Sequence, residues 1–297
     1  MVRAEPGGYI GEPFGETAKR PKEPMAEYQA ELELAEEAAR QGGAAAMEYY
    51  GTARSVAKAD ESPVTAADHA ANDVILARLR EAFPADAILS EEKRDDLGRL
   101  ESERVWVVDP LDGTKEFLAQ NGEFSIMIGL AVGGRAVLGV VYLPDGDVLY
   151  AAAEGAGARA VRGGRREPLA VVEADPDSLR LVGSRSHPDP LLTRMQHALD
   201  ITDVEPCGSV GVKCSRIADG RRDLYIHPVP YLKEWDTCAP EVLVSEAGGR
   251  VTDCRGDPLR YNKRDPRQPH GIVACGAGIG ERVLSVVSPI YEAGSQG

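Results

Sequence analysis

The feature that most constrains this fold is a change in the spacing of apolar residues at Phe83-Pro84. Before it, apolar residues recur at helical spacing from Met25 to about Tyr50 and again from Thr65, which predicts two helices, the second ended by the proline. After it, apolar and polar residues alternate and β-branched residues dominate, a pattern typical of strands. The predicted strands are Ala87–Ser90, Val105–Val108, Phe124–Val132, Arg135–Leu143 and Asp147–Ala153.

The second half of the chain alternates between strand-like and helix-like segments, which favours an α/β arrangement. The stretch before it, Gly155 to Pro168, is rich in Gly and Arg and predicts a short strand plus loops. We therefore expect a flexible tail over 1–24, an α+β lobe over 25–168 and an α/β lobe over 169–297. In that last lobe the predicted segments are strand Leu179–Ser184, helix Pro188–Leu199, helix Val210–Ala218, strand Leu224–His227, helix Asp236–Ala247, strand Gly271–Cys275 and a helix around Glu281–Val287.

Charge and composition exclude several classes of function. With 48 Asp and Glu against 34 Lys and Arg, the net charge is −14, which argues against binding a nucleic-acid polymer. Small phosphate esters stay compatible, because a bound metal ion reverses the local charge. The chain has no long apolar run and no signal-peptide layout at its start, so we expect a cytoplasmic protein without a membrane partner. Its five cysteines form no C-x-x-C pair, which predicts buried thiols.

The most informative segment follows the predicted strand Val105–Val108. That strand delivers Asp109 and, three positions later, Asp112 into a turn closed by Gly113. Two carboxylates at a turn suit Mg²⁺, which prefers oxygen ligands and keeps several of its waters. Backbone N–H groups from Gly113 and Thr114 would face the same point, where a helix can begin and bind an anion. The residues alone leave a second interpretation open, in which Asp112 forms an ordinary Asx turn.

Two other acidic segments bear on that choice. Glu91 and Glu92 end a predicted strand, where an acidic pair is usually solvated surface. Glu234-Trp235-Asp236 precedes an Ala-rich helix, where Asp236 alone would be only an N-cap. Taken together, three separated acidic segments favour one metal site.

The same three segments resemble the inositol monophosphatase superfamily of Mg²⁺-dependent, lithium-sensitive phosphomonoesterases. They read E-E, then D-P-L-D-G-T-K-E-F, then E-W-D-T-C-A-P-E-V-L-V-S-E-A-G-G, and the likeness runs from about Met25 to about Val287. The resemblance implies a layered α-β-α-β-α sandwich, built from α+β and α/β lobes, of the inositol monophosphatase and fructose-bisphosphatase type. It also implies that the first lobe holds most metal ligands and that the second closes the site.

Carried over residue by residue, the resemblance implies a site with two or three Mg²⁺ ions. Asp109 would bridge two of them. Glu91 and the main-chain carbonyl of Leu111 would complete the protein ligands of the first, and Asp112 and Asp236 those of the second. Thr114 would orient the attacking water, and Asp68, in a V-T-x-x-D segment, would accept the proton of its hydroxyl. The implied catalytic residues are Asp68, Glu91 and Thr114.

The segment D-G-T-K-E-F resembles the bacterial 3'(2'),5'-bisphosphate nucleotidases more than the inositol monophosphatases, which more often have D-G-T-x-N-F. Ser184-Arg185-Ser186-His187 resembles a segment that reaches the nucleotide in that subfamily. Gly208–Lys213 resembles the segment that holds its second phosphate, with one extra residue between Ser209 and Lys213. The implied substrate contacts are Asp112, Gly113, Thr114, Ser186, His187, Ser209, Lys213 and Asp236.

The resemblance therefore implies a phosphatase, monomeric or homodimeric, that acts in sulfur assimilation. It would remove the 3'-phosphate of adenosine 3',5'-bisphosphate to give AMP, or the 3'-phosphate of its phosphosulfate analogue. An inositol 1-phosphate or fructose 1,6-bisphosphate phosphatase with the same metal site is the main alternative. A haloacid-dehalogenase phosphatase, with a covalent aspartyl-phosphate, needs one residue between its carboxylates, whereas Pro110 and Leu111 make two here. A non-catalytic sensing module is disfavoured because every proposed site residue is chemically competent.

Overall fold

The computed structural model describes residues 27–57, 63–185 and 189–294. The predicted tail over 1–24, together with Ser186 and His187, lies outside the described residues. No helix in the described ranges is long and apolar enough to cross a membrane. The helices are α1 (Gln29–Met47), α2 (Ala66–Ala82), α3 (Thr114–Ala119), α4 (Pro190–Ala198), α5 (Val210–Ala218), α6 (Glu234–Glu246) and α7 (Gly280–Gly294).

The two N-terminal helices pack against each other through small residues. Thr65 caps α2 with its side chain, and α2 ends just before Phe83-Pro84, as the sequence predicts. Gly42 lies in the middle of α1, and a methyl group there would lie 2.7 Å from the Ile75 side chain. Close contact between α1 and α2 therefore requires the glycine. The helix continues to Met47 because this packing offsets the low helix propensity of glycine.

The larger sheet has seven strands, and its spatial order follows the chain. Only its first two strands are parallel, and the other neighbours pair antiparallel. Gly155 to Pro168 forms two strands where the sequence predicted one, because Gly163 and Gly164 take positive φ and reverse the chain. After the two-stranded hairpin β1 (Val56–Ala57) and β2 (Pro63–Val64), the strands of this sheet are β3 (Ala87–Ser90), β4 (Arg104–Asp112), β5 (Ser125–Val132), β6 (Arg135–Leu143), β7 (Val148–Ala153), β8 (Gly157–Arg162) and β9 (Arg165–Leu169).

The smaller sheet has five strands and is mixed. They are β10 (Arg180–Ser184), β11 (Asp203–Cys207), β12 (Leu224–His227), β13 (Arg250–Thr252) and β14 (Ile272–Cys275). Their order is β11-β10-β12-β14-β13, with β10 parallel to both of its neighbours. The sequence prediction missed β11 and β13, which are the two edges. The period-2 signal needs a buried face, and the first four residues of β11, Asp203 to Pro206, are not fully buried.

The layers confirm the predicted α-β-α-β-α sandwich. Helices α1 and α2 cover one face of the larger sheet, α5 and α6 lie between the two sheets, and α4 and α7 cover the outer face of the smaller sheet. Each interface is apolar and buried, with members such as Leu32, Ile75 and Ile128 in the first, Val107, Val182 and Trp235 in the second, and Leu181, Met195 and Val287 in the third. The division into two lobes near residue 168 stays a prediction.

Helix α6 lies unusually close to the larger sheet. A methyl group at Gly139 of β6 would lie 2.3 Å from the carbonyl oxygen of Ala239, and one at Gly129 of β5 would lie 2.5 Å from Sγ of Cys238. Both distances are too short for a Cβ atom. The two glycines therefore allow α6 to approach the strands that follow β4.

All five cysteines are buried and free, as predicted. Burial raises the pKa of the Cys207 thiol to about 11 and that of Cys214 to about 12. Thiols with such values stay protonated at neutral pH and are poor nucleophiles.

Candidate active site

Three carboxylates from distant parts of the chain meet at the end of β4. Asp109 and Asp112 lie on β4, where the pairing with β5 shifts register between them, and Asp236 lies in the first turn of α6. An oxygen of each carboxylate lies within 4.8 Å of an oxygen of the other two. Asp109 is 1% exposed, so this group opens from the protein interior. The predicted set Asp109, Asp112 and Asp236 is thus brought together.

Burial and the repulsion between like charges both disfavour the ionised carboxylates of this group. Burial raises the pKa of Asp109 well above its usual value, and the charges of Glu91, Asp112 and Asp236 raise it further. Burial, followed by the charges of Glu91 and Asp112, raises the pKa of Asp236 to about 8. The backbone N–H of Glu91 donates to the carbonyl of Val108 at 3.1 Å, which holds Glu91 beside β4. Such a group, with oxygen donors only, matches a hard divalent cation.

Backbone groups orient two of the carboxylates. Oδ1 of Asp109 accepts the N–H of Leu111 at 3.0 Å, and Oδ2 of Asp236 accepts the N–H of Lys233 at 2.6 Å. Each hydrogen bond fixes one oxygen of the carboxylate to the backbone, which orients the whole carboxylate group. Ordered carboxylates bind a cation without first losing side-chain entropy.

Thr114 and Asp68 form the hydrogen bond that the resemblance implies. Oγ1 of Thr114 donates to Oδ1 of Asp68 at 3.0 Å. Oδ2 of Asp68 accepts the N–H of Thr65 at 2.8 Å and its hydroxyl at 2.7 Å, which makes Asp68 both the N3 residue of the α2 capping box and the partner of Thr114. Because the Thr114 hydroxyl donates its hydrogen bond to Asp68, the lone pairs of its oxygen can accept a hydrogen bond from a water.

Gly113 is required at the turn between β4 and α3. Its φ is +96°, a left-handed conformation, and a methyl group there would lie 2.9 Å from the carbonyl oxygen of Glu123. Thr114 begins α3, as predicted, so its side chain starts from a fixed helix terminus.

Ser209, which the resemblance implies to be a substrate contact, lies buried beside Asp112. It is fully buried, and its hydroxyl both accepts the N–H of Val212 at 3.1 Å, capping α5, and hydrogen-bonds to Oδ2 of Asp112. The N–H of Gly211 donates to the same Asp112 oxygen at 2.9 Å. In this structure Ser209 therefore orients Asp112, and its role as a substrate contact stays a prediction.

Lys213 is also buried beside the turn that precedes α5, and its predicted contact with the substrate stays a prediction. It is 2% exposed, its Nζ donates to the carbonyl of Gly208 at 2.6 Å, and it lies 5.1 Å from the ring centre of Tyr225. Lys213 lies on α5, the helix that Ser209 caps, and its ammonium group stabilises the Gly208 turn from the protein interior. The two other predicted substrate contacts, Ser186 and His187, lie outside the described residues and stay predictions.

Sequence reasoning missed two buried polar residues. Ser125 pairs with Asp112 across β4 and β5, and its Oγ lies 2.9 Å from that of Ser209 and 3.4 Å from Oδ2 of Asp112. Strand register would have revealed it. Glu234 is fully buried and accepts the N–H groups of Asn262 at 2.7 Å and Lys263 at 2.9 Å. The glutamate of the E-W-D segment therefore anchors the start of α6.

Comparison with known proteins agrees with this geometry. The model of the inositol monophosphatase family matches residues 27–288. The chain belongs to the inositol monophosphatase family. Among solved structures, it is similar to an inositol monophosphatase from Anabaena (Nostoc) sp. PCC 7120, with a TM-score of 0.72 and 30% identity over 89% of this chain and 97% of that one.

Other relatives carry a narrower description. The protein described as 3'(2'),5'-bisphosphate nucleotidase CysQ of Escherichia coli O157:H7 is 42% identical over 76% of this chain and 92% of its own length. The 3'-phosphoadenosine 5'-phosphate phosphatase of Mycobacterium leprae is 37% identical over 76% of this chain and 83% of its own. The solved CysQ of Bacteroides thetaiotaomicron has a TM-score of 0.73 and 33% identity, over 84% of this chain and 98% of that one.

Proposed function

We propose that this protein is a Mg²⁺-dependent 3'(2'),5'-bisphosphate nucleotidase that hydrolyses the 3'-phosphate of adenosine 3',5'-bisphosphate to give AMP and inorganic phosphate. The same hydrolysis of its 5'-phosphosulfate analogue would give adenosine 5'-phosphosulfate. The observation that carries the proposal is the group formed by Asp109, Asp112 and Asp236, with Thr114 held by Asp68 at the end of the same strand. The names of the relatives above support the choice of substrate.

In this proposal the metal ligands are Asp109, Glu91, Asp112, Asp236 and the carbonyl of Leu111. Two or three Mg²⁺ ions bound there would lower the pKa of a water and neutralise charge on the phosphoryl oxygens. The chain's own contribution is orientation. Asp68 fixes the rotamer of Thr114, whose oxygen then accepts a hydrogen bond from the attacking water.

One contact supports a nucleotide over an inositol phosphate. Glu116, the glutamate of D-G-T-K-E-F, is 6% exposed and packs against Gly208, where a methyl group would lie 2.1 Å from its Cδ. The position at which this sequence differs from D-G-T-x-N-F thus touches the segment that resembles the binding site of a second phosphate. We further propose that the enzyme acts in the cytoplasm on a by-product of sulfur assimilation.

The test is phosphate release with Mg²⁺ from four substrates: adenosine 3',5'-bisphosphate, its 5'-phosphosulfate analogue, inositol 1-phosphate and fructose 1,6-bisphosphate. We expect the adenosine compounds to give the highest kcat/KM, by on the order of tenfold or more. Chelation should abolish release with every substrate, and Li⁺ should inhibit it. A higher kcat/KM for inositol 1-phosphate would keep the metal site and replace the substrate.

A further inference from the structure

Glu123 connects the smaller sheet to the strand that faces the metal-binding group. It lies just before β5, and its side chain is 15% exposed. Its two oxygens accept Nη2 of Arg185 at 2.8 and 2.9 Å, and Oε2 also accepts Nε at 3.2 Å. Oε2 accepts the backbone N–H of Gly208 at 3.0 Å as well. One carboxylate therefore holds two separate segments.

Both segments follow parallel strands at one edge of the smaller sheet. Arg185 follows β10 and Gly208 follows β11, and the two strands pair directly. The N–H of Arg185 donates to the carbonyl of Cys207 at 3.0 Å, and its Nη2 donates to that of Pro206 at 3.0 Å. Ligands of open α/β sheets bind outside the carboxyl ends of the parallel strands, which is where these residues lie.

The exposed guanidinium of Arg185 is the group at this place that suits an anion. A second guanidinium, that of Arg216, lies 3.6 Å from Oε1 of Glu123, so one carboxylate faces two cations. The side chain of Arg185 is 43% exposed, which leaves part of its guanidinium open to solvent. An exposed guanidinium with one fixed face is suited to bind a phosphate.

The Glu123 carboxylate is also linked to the metal-binding edge, by which we mean the group of Asp109, Asp112 and Asp236 at the end of β4. Gly208 directly precedes Ser209, whose hydroxyl hydrogen-bonds to Asp112. Glu123 therefore fixes the turn between β11 and α5 from one side, while Ser125, two residues further on, contacts Ser209 from the other. The distance between the exposed guanidinium and the carboxylates depends on these contacts.

We propose that Glu123 is a positioning residue that holds Arg185 and the Gly208 turn at a fixed distance from the metal-binding group, and so sets the affinity for the second anionic group of the substrate. This inference rests on the proposed function, because it needs a substrate with two anionic groups. Without the Glu123 carboxylate, binding would have to order both segments, which raises KM. Asp112 keeps its bonds to Ser209 and Gly211, so kcat is retained.

The experiment compares Glu123→Gln with the wild type on adenosine 3',5'-bisphosphate and adenosine 3'-monophosphate. The two substrates share the 3'-phosphate, and only the first has a second anion. We expect KM for the bisphosphate to rise about tenfold, a typical loss for a charge-assisted contact. KM for the monophosphate and kcat for both should change less than about twofold. The matched control is Glu205→Gln, because Glu205 pairs with Arg216 at 2.8 Å and has no bond to Arg185 or Gly208.

An equal loss of kcat on both substrates, or an unchanged KM for the bisphosphate, would overturn the inference. Amide hydrogen exchange supplies a readout that needs no substrate: Glu123→Gln should speed exchange of the Gly208 N–H, and unchanged exchange would also overturn it. A wild-type enzyme that does not prefer the bisphosphate would refute the proposed function instead, and the exchange of Gly208 would still show whether Glu123 holds the turn.

Discussion

The metal-binding edge differs in its arrangement of charges from the corner around Glu123, which is formed by Glu123, Arg185 and Gly208. At the edge, Asp109, Asp112 and Asp236 bring like charges within 4.8 Å of one another, and one of them is almost completely buried. At the corner, Glu123 and Arg185 neutralise each other and remain partly exposed. A bound cation or a proton would relieve the repulsion at the edge, whereas the corner is already paired. If both proposals hold, one site is prepared for a cation and for an anion in different ways.

The largest expected effect breaks the edge. Asp109→Asn should lower kcat by about a thousandfold or more, because it removes the proposed bridging ligand. The metal-free protein should melt at the same temperature or higher, since the change removes a charge whose ionised form burial and neighbouring carboxylates disfavour. The measurements are kcat with Mg²⁺ and thermal melting in chelator. Turnover like that of the wild type would contradict the metal assignment.

An intermediate effect tests the hydrogen bond between Thr114 and Asp68. Thr114→Val should lower kcat by about a hundredfold with little change in KM, because the hydroxyl bonded to Asp68 orients the water. Thr65→Val is the matched control, since Thr65 donates to the other oxygen of Asp68. It should cost about 1 kcal/mol of stability through the lost cap and change kcat less. Equal kcat values in the two variants would argue against the role of Thr114.

The smallest expected effect on catalysis comes from a carboxyl group outside the metal-binding edge, whose pKa is raised by desolvation and not by neighbouring carboxylates. Glu241 is a partly buried carboxyl in α6 that accepts the hydroxyl of Tyr261 at 2.5 Å, and desolvation raises its pKa from 4.5 to about 7. Between these two values the folded protein binds more protons than the unfolded chain, so wild-type stability falls as pH rises.

Glu241→Gln removes that loss. Its stability relative to the wild type should grow as pH rises from 4.5 to 7, by at most about 3 kcal/mol. Denaturant unfolding across this range measures the difference, and kcat at neutral pH should stay within about twofold. A difference that does not vary with pH would mean that the Glu241 carboxyl titrates normally in the folded protein.

The edge could be predicted from the sequence and the corner could not. Metal chemistry restricts residue types and spacing, so Asp109, Asp112 and Asp236 stand out locally, as does Thr65 at the start of α2. The contacts that Ser209 and Lys213 make with Val212 and Gly208 depend on the cap that begins α5, and their roles as substrate contacts stay predictions. The contacts of Ser125 and Glu123 arise from strand register and from the meeting of two sheets, and no local spacing encodes either.

The close approach of α6 to the larger sheet has a consequence for how this site tolerates change. Asp109 lies in the larger sheet and Asp236 lies on α6, which packs on that sheet. The spacing between the sheet and the helix therefore also sets the distance between these two proposed metal ligands. Gly129 and Gly139 allow this short spacing, because a larger side chain at either position would clash with Cys238 or Ala239. Any side chain added at either glycine would therefore push α6 away from the sheet and move Asp236 away from Asp109.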